Sequence, residues 1–421
     1  MSPPAMPEAT PADARSGASS DGGRVVDVAI VGGGLVGASL AIALEDLGLE
    51  VAMLEATPSG ALPAVFDQRN LSLAEASVNA LTALGVWPLL QTAPGPIRRI
   101  HVSRAGDFGR VLLRADDFGR DAFGQVVVAR DFGAALEARL QQLPRLQRLR
   151  PARFTGTTLA IDGLREVRYE DADGPRTLRA RLLVGADGAD SAVRAALGID
   201  ADVEDYDQTL FVARLRSAQR PDGTAYERLT DHGPTALLPR GDGHFGVVHG
   251  VATAEADALA GLDDDAWLLR LQDAFGWRAG RFLAVGPRSR YPLRRVLARQ
   301  VSAPRALLVG NAAQAMHPIG AQGFNLGLRD ALVLAELLAA SGVDADLADA
   351  YAARRGEDRA RTLAFSDGLA RWTANPSPLA SALRSLGLGV LAGSGSLQAW
   401  LVGGAMGYRG DVPALCRGTA A

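Results

Sequence analysis

The apolar run Val25-Val26-Asp27-Val28-Ala29-Ile30-Val31 feeds into Gly32-Gly33-Gly34-Leu35-Val36-Gly37, and a helical pattern from Ala38 to Leu47 follows until Gly48 stops it. A second strand, Glu50 to Leu54, ends on Glu55. Strand, glycine turn, helix and an acidic residue about 20 positions on is the arrangement that receives a dinucleotide. Each part has a physical task. Gly32 allows the tight turn, Gly34 lets a pyrophosphate approach the backbone, Gly37 lets the helix pack on the strand, and Glu55 accepts ribose hydroxyls. The competing reading is a βαβ unit with a glycine turn and no ligand, in which three consecutive glycines are an uncompensated loss of backbone entropy.

The chain has room for more than this unit. At 421 residues and 48% hydrophobic content, two joined domains plus a tail are expected. A net charge of -3 and the complete lack of lysine leave no basic stripe, so no nucleic-acid partner is expected; Schiff-base lysines and a P-loop are excluded as well. The single cysteine, Cys416, forbids internal disulfides and argues against a Cys-rich zinc or iron–sulfur site, and His232, His244 and His249 lack metal-ligand spacing. No metal is expected. Residues 1–24 are rich in Pro, Ala, Ser and Gly without a signal-like apolar stretch, and read as a disordered extension.

Further along, a helical pattern spans Ala74 to Leu84, and Ile100 to Ala115 reads as a hairpin turning at Gly106-Asp107. The strand Val126 to Arg130 leads to a helix from Asp131 to Leu143, with Asp131 as N-cap. A buried strand, Arg181 to Val184, ends in Asp187-Gly188, and a helix opens at Ser191. From about 199 to 300 the pattern changes to strands (Asp207–Arg216, Ala225–Leu229, Thr235–Pro239, Phe245–Val251) with polar turns, which suggests an antiparallel sheet. Tyr206, Tyr226, Tyr291 and the three histidines lie there, each either structural or facing a substrate. The strand Ala306 to Val309 then enters a Pro/Gly loop that gives way to a helix-like run, Asn325 to Ala339, so backbone N–H groups can converge on an anion. A charged helix, Asp346 to Arg361, follows. Ser385 to Tyr408 carries no charge but is broken by Gly387, Gly389, Gly393, Gly395, Gly403, Gly404 and Gly407; it reads as two short apolar helices, either core-packed or an interfacial membrane foot.

Three signals stand in order: the glycine turn at Gly32, Asp187-Gly188, and Gly310-Asn311-Ala312-Ala313-Gln314 followed by His317-Pro318-Ile319 and Gly323-Phe324-Asn325-Leu326-Gly327. Together they resemble the flavin-dependent aromatic hydroxylases, and the Asn311 and Gln314 replacements of a GDAAH pattern resemble the ubiquinone-biosynthesis members of that group. The resemblance covers residues 25 to about 375. It implies an α/β fold: a Rossmann-like FAD-binding domain of the p-hydroxybenzoate-hydroxylase type made of 25–98, 126–198 and 301–375. A substrate-side hairpin, 99–125, and an antiparallel-sheet substrate domain, 199–300, would be interleaved, with apolar helices in 376–421.

The resemblance also implies FAD, with NAD(P)H as a transient co-substrate because no second GxGxxG is present. A polyprenyl phenol would be hydroxylated with O2 through a C4a-hydroperoxyflavin, in the bacterial cytoplasm, peripherally on the inner membrane and beside other ubiquinone-biosynthesis proteins. A soluble aromatic substrate, or a non-catalytic flavoprotein scaffold, are the alternatives. The cofactor residues carried over are Gly32, Gly34, Gly37 and Glu55; Arg69 toward the pyrophosphate; Arg130 at a strand end by the flavin, or in a surface ion pair; Asp187 and Gly188 toward FAD and nicotinamide; Asn311 on a ribose; and Gly320, Gly323, Phe324 and Asn325 around the ring. Pro318 and His317 form the expected catalytic pair, with Pro318 against the ring. The helix beginning near Asn325 would point its positive end at reduced flavin.

Overall fold

Long apolar runs without alternation become parallel strands buried on both faces. Val25–Val31 pairs in parallel with Val51–Leu54 on one side and with the second half of Gly174–Gly185 on the other. Ala306–Leu308 adds beyond Gly174–Gly185, and Leu146–Leu149 beyond Val51–Leu54. The carboxyl ends of three adjacent strands therefore lead straight into Gly32, Asp187-Gly188 and Gly310, which is where open α/β sheets bind ligands. The computed structural model describes residues 25–418 apart from 231–232, 344–345 and 375–376, so the expected extension 1–24 and His232 lie outside the described residues.

A second, largely antiparallel sheet runs in the order Gln314–Ala315, Ser289–Ala298, Ala201–Ser217, Phe245–Ala252, Gly233–Pro239, Thr224–Thr230, Arg99–Arg104, Arg110–Arg114. The hairpin joins it through parallel pairing of Arg99–Arg104 with Thr224–Thr230. One face of this sheet is covered by Ala256–Ala260 and Asp264–Phe275, where Trp267, Leu271 and Phe275 pack on Phe211, Leu237 and Val247. The other face turns toward the three motifs, since Tyr291 on it bonds Asp67 and Leu229 packs on Ile319.

Two local expectations change. Gly124–Val128 pairs with Asn70–Ala74 in a separate small sheet, and the next helix already starts at Ala129, so Arg130 and Asp131 lie in its first turn and Asp131 is not the N-cap. The N–H groups of Ala129 and Arg130 are satisfied by the carbonyls of Arg69 and Asp67, so the first two helical N–H groups need no side-chain cap.

Leu347–Ala374 is one continuous helix. Beyond it, Pro378–Gly393 and Gly395–Ala405 meet at Ser394, whose side chain accepts the N–H of Leu397, and the apolar parts of the pair are bent by 95°. Among the described residues, no single helix is long and apolar enough to cross a membrane. The pair divides its surface between two environments. Val402 and Met406 pack on Val111, Leu113 and Phe123, whereas Leu386, Val390 and Trp400 are 64%, 53% and 61% exposed. The tail then returns: Val412 and Cys416 join the main core, and Asn79 donates to Tyr408 Oη and the Cys416 carbonyl.

Candidate cofactor and substrate site

The glycines separate into two kinds. At Gly32 (φ +105°) a Cβ would lie 2.6 Å from the Ala186 carbonyl oxygen, and at Gly37 it would lie 2.0 Å from the Gly32 carbonyl oxygen. Protein packing alone requires these two. At Gly34, whose φ of -71° suits any residue, a Cβ would meet only Val65 Cγ1 at 3.6 Å; at Gly188 and Gly323 it would meet nothing within 4 Å, and at Gly320 only Phe365 at 3.6 Å. Those four border open space, Gly34 and Gly188 just beyond strand ends and Gly320 and Gly323 at the start of the helix Gln322–Ser341. A cradle without side chains, lined by backbone N–H groups, fits the pyrophosphate and ring edge of FAD.

Glu55 clamps the turn from behind: its Oε2 accepts the Gly33 N–H at 2.8 Å and its Oε1 the Thr57 N–H at 2.7 Å. Each oxygen keeps a second lone pair for a ribose hydroxyl. Arg69 is held by Asp67 (Nε to Oδ1 2.9 Å) and lies 4.6 Å over the Tyr291 ring, while the Tyr291 hydroxyl donates to the same carboxylate. Burial pushes Asp67 upward, but the hydrogen bonds from Arg69 and Tyr291 outweigh it and hold the carboxyl below its usual range. Arg130 is exposed beside this turn.

Asp187 is committed locally, accepting from the Ser191 hydroxyl at 2.5 Å and the Val193 N–H at 3.0 Å, so its carboxylate secures the short helix Ala192–Ala196. The guanidinium of Arg194 bridges the carbonyls of Ala189 and Ala312, which ties the Asp-Gly turn to the Gly310 turn. Asn311 is exposed there with no side-chain hydrogen bond among the described residues.

Gln314 has a role that the sequence did not suggest. It is buried, donating to Asp330 Oδ2 at 2.7 Å and accepting from Arg359 Nε at 2.9 Å; Asp330 also accepts the Gly310 N–H and Arg355 Nε. Arg329 and Arg355 share Asp358 beneath it, and although burial pushes that carboxyl up, the two guanidinium groups keep it below its usual range. This buried network supports the turn that bears Asn311.

The loop's side chains depart from the expected roles. The helix starts at Gln322, not near Asn325, so the N–H groups of Gln322, Gly323 and Phe324 have no intrahelical acceptor. Asn325 is 2% exposed with all four hydrogen-bonding positions taken: Oδ1 accepts from Ala74 N–H and Ser77 Oγ, and Nδ2 donates to the carbonyls of Ser72 and Ala321. Its side chain positions the helix and cannot also hold a cofactor. Phe324 turns inward, edge-on to Phe132 at 5.4 Å.

His317 is likewise turned inward, donating from Nε2 to Gln208 Oε1 at 3.1 Å and accepting the Ile319 N–H on Nδ1 at 3.2 Å. Burial lowers its pKa to about 4, so the ring is neutral with no nitrogen free for proton transfer. The expected catalytic role therefore gives way to a positioning one, reinforced by the Ser366 hydroxyl on its carbonyl and by the edge-on Tyr206 ring at 5.0 Å. Pro318 remains exposed on the loop. A separate cleft of about 570 Å³, lined by Phe211, Ala260, Val285 and Arg288, contains none of the motif residues.

Comparison with known proteins agrees with this geometry. The FAD binding domain family matches residues 25–366. The chain is 36% identical over 392 residues to the ubiquinone hydroxylase UbiL of Rhodospirillum rubrum, covering 91% of this chain and 90% of that protein. It is 30% identical to the 3-demethoxyubiquinol 3-hydroxylase of Escherichia coli, covering 74% and 79%. Among solved structures, the p-nitrophenol 4-monooxygenase PnpA of Pseudomonas putida superposes with a TM-score of 0.74 at 18% identity over 92% of this chain and all of that one, a likeness of fold.

Proposed function

Because this chain belongs to the FAD-dependent ubiquinone-biosynthesis hydroxylases, we propose that its cleft receives the ring of a polyprenyl phenol and adds one oxygen atom from O2 at the expense of NAD(P)H. One observation carries the reading: three glycine-bearing turns at the ends of adjacent parallel strands face a sheet whose near side is largely apolar. When bound, the flavin supplies two-electron reduction by the nicotinamide and activation of O2. The chain supplies the rest. Gly34 and Gly188 admit the phosphates and ribose to the backbone, and Arg69, Arg130 and Asn311 are the polar groups we assign to them. The N–H groups of Gln322, Gly323 and Phe324, at the positive end of a 20-residue helix, favour negative charge placed before them. Pro318 and Ile319 keep water from the reacting edge.

The bent apolar pair supports a membrane foot on the cytoplasmic side of the inner membrane, alongside other proteins of the pathway. Each CH2 of a prenyl tail costs roughly 0.8 kcal/mol to move from lipid to water, so a site resting on the bilayer removes that barrier. The test of the activity is NAD(P)H oxidation by purified protein with a short-chain prenyl phenol under labelled O2. A stimulated rate with one labelled oxygen in the product is expected; oxidation indifferent to the phenol, without product, would leave only a flavoprotein scaffold.

A further inference from the structure

Strand Thr224–Thr230 alternates its side chains between two very different surroundings. Tyr226 packs on Phe275 at 5.6 Å and Arg228 reaches Ser103 on the helix-covered side. Ala225, Glu227 and Leu229 therefore face the opposite side, toward the motifs. There Ala225 clusters with Val402 and Met406 of the C-terminal helices, and Leu229 clusters with Ile319 of the loop and Ala370. Val102, in register with Glu227 on the neighbouring strand, packs on both clusters, and Ala236 is in register on the other side. Glu227 thus lies on the line from the C-terminal helices to Ile319, between Pro318 and Gly320, with Val102, Ala225, Leu229 and Ala236 as its sheet neighbours. It lies deep in the protein yet is only half-buried, as a group lining an internal cleft is. No hydrogen bond or ion pair to its carboxylate is found among the described residues. A carboxylate without a partner in apolar surroundings is costly to keep and marks functional sites.

We propose that Glu227 is the general base that accepts the phenolic proton of the substrate as oxygen is added to its ring. The inference rests on the hydroxylase reading above. As ring electrons form the new C–O bond, the O–O bond of the activated oxygen breaks and its other oxygen leaves with that electron pair, ending as water at the expense of NAD(P)H; the phenolic O–H becomes acidic and breaks, its electron pair stays on oxygen, and the proton passes to the carboxylate. When the ring C–H proton is then lost to water and aromaticity returns, Glu227 gives its proton back to the phenolic oxygen. Burial pushes this carboxyl up to about 7, where a base is both available and strong enough. The charged groups on the elements around it are otherwise engaged. Arg104, on the same face, and Arg384 both pair with Asp107, Asp367 pairs with Arg295 and Tyr206, and His317 is neutral.

The holoenzyme test is Glu227→Gln, read with a short-chain prenyl phenol over pH 5.5 to 9. Wild type should gain hydroxylation rate as pH rises through about 7 and then level off. The variant should keep FAD and its reduction by NAD(P)H, lose roughly 100-fold or more in product formation, and release hydrogen peroxide instead, with a flat pH profile. A variant that hydroxylates within about threefold of wild type, with the same profile, overturns the proposal. If Glu227→Gln does not hold FAD, Glu227→Asp decides: a lowered rate that still rises through neutrality supports the base, and a profile that no longer does so refutes it. Absence of product from wild type would instead strike the hydroxylase reading itself.

Discussion

Asn325→Ala separates positioning from cofactor contact. The substitution removes four hydrogen bonds from a side chain 2% exposed and strands two buried donors, the Ala74 N–H and the Ser77 hydroxyl. The hydroxyl can rotate to another acceptor, but the peptide N–H cannot. An unsatisfied buried donor costs about 1–3 kcal/mol, and a lost hydrogen bond about 1 kcal/mol, so a total of roughly 2–4 kcal/mol is expected. Urea unfolding, followed with and without FAD, measures it. Because these bonds join the loop helix to Ser72–Ser77 independently of any ligand, the loss should appear in full in the FAD-free protein. An FAD-free variant within about 0.5 kcal/mol of wild type, combined with weakened FAD binding, would refute the positioning role and restore Asn325 as a ligand.

The other expectations are more direct. Gly34→Val should yield folded protein without FAD, since the new side chain enters space bordered only by Val65; retained stoichiometric FAD would sink the cradle assignment. Asn311→Asp, on an exposed side chain, should leave hydroxylation within about tenfold, or 1.4 kcal/mol, and a much larger loss would show dependence on the neutral amide. Leu386→Glu with Trp400→Glu should cut binding to phosphatidylglycerol vesicles by about 100-fold or more while leaving FAD content unchanged; undiminished binding would place the foot elsewhere. Removing 385–421 is a poorer test, because it also takes Val412 and Cys416 from the main core. Finally, His249 and His317 are both buried with pKa values lowered to about 4 from 6.5, so the stability they contribute is fully present above pH 6.5 and is lost as pH falls toward 4. Each is worth on the order of 3 kcal/mol across that window. Unfolding midpoints should fall accordingly between pH 7 and 4.5, and a pH-independent midpoint would contradict the neutral rings.

What the sequence determined by itself is what neighbours along the chain decide. The strand Val25–Val31 and the turns at Gly32 and Gly188 were legible because apolar runs and glycine conformations are local properties, and the family pattern follows from their order. The break at Ser394 was legible for the same reason. The direction in which a loop side chain faces is not local. Asn325 bonds a backbone group 251 residues away and His317 bonds a side chain 109 residues away, so no spacing rule could show that both point inward. Asp131 lost its capping role to carbonyls from another segment, and Gln314 acquired its role from Asp330 and Arg359. Glu227 was one charge among many in an alternating strand. Only the pairing of that strand with Arg99–Arg104 and Gly233–Pro239, and the packing of the loop and C-terminal helices over it, left its carboxylate in apolar surroundings without a partner.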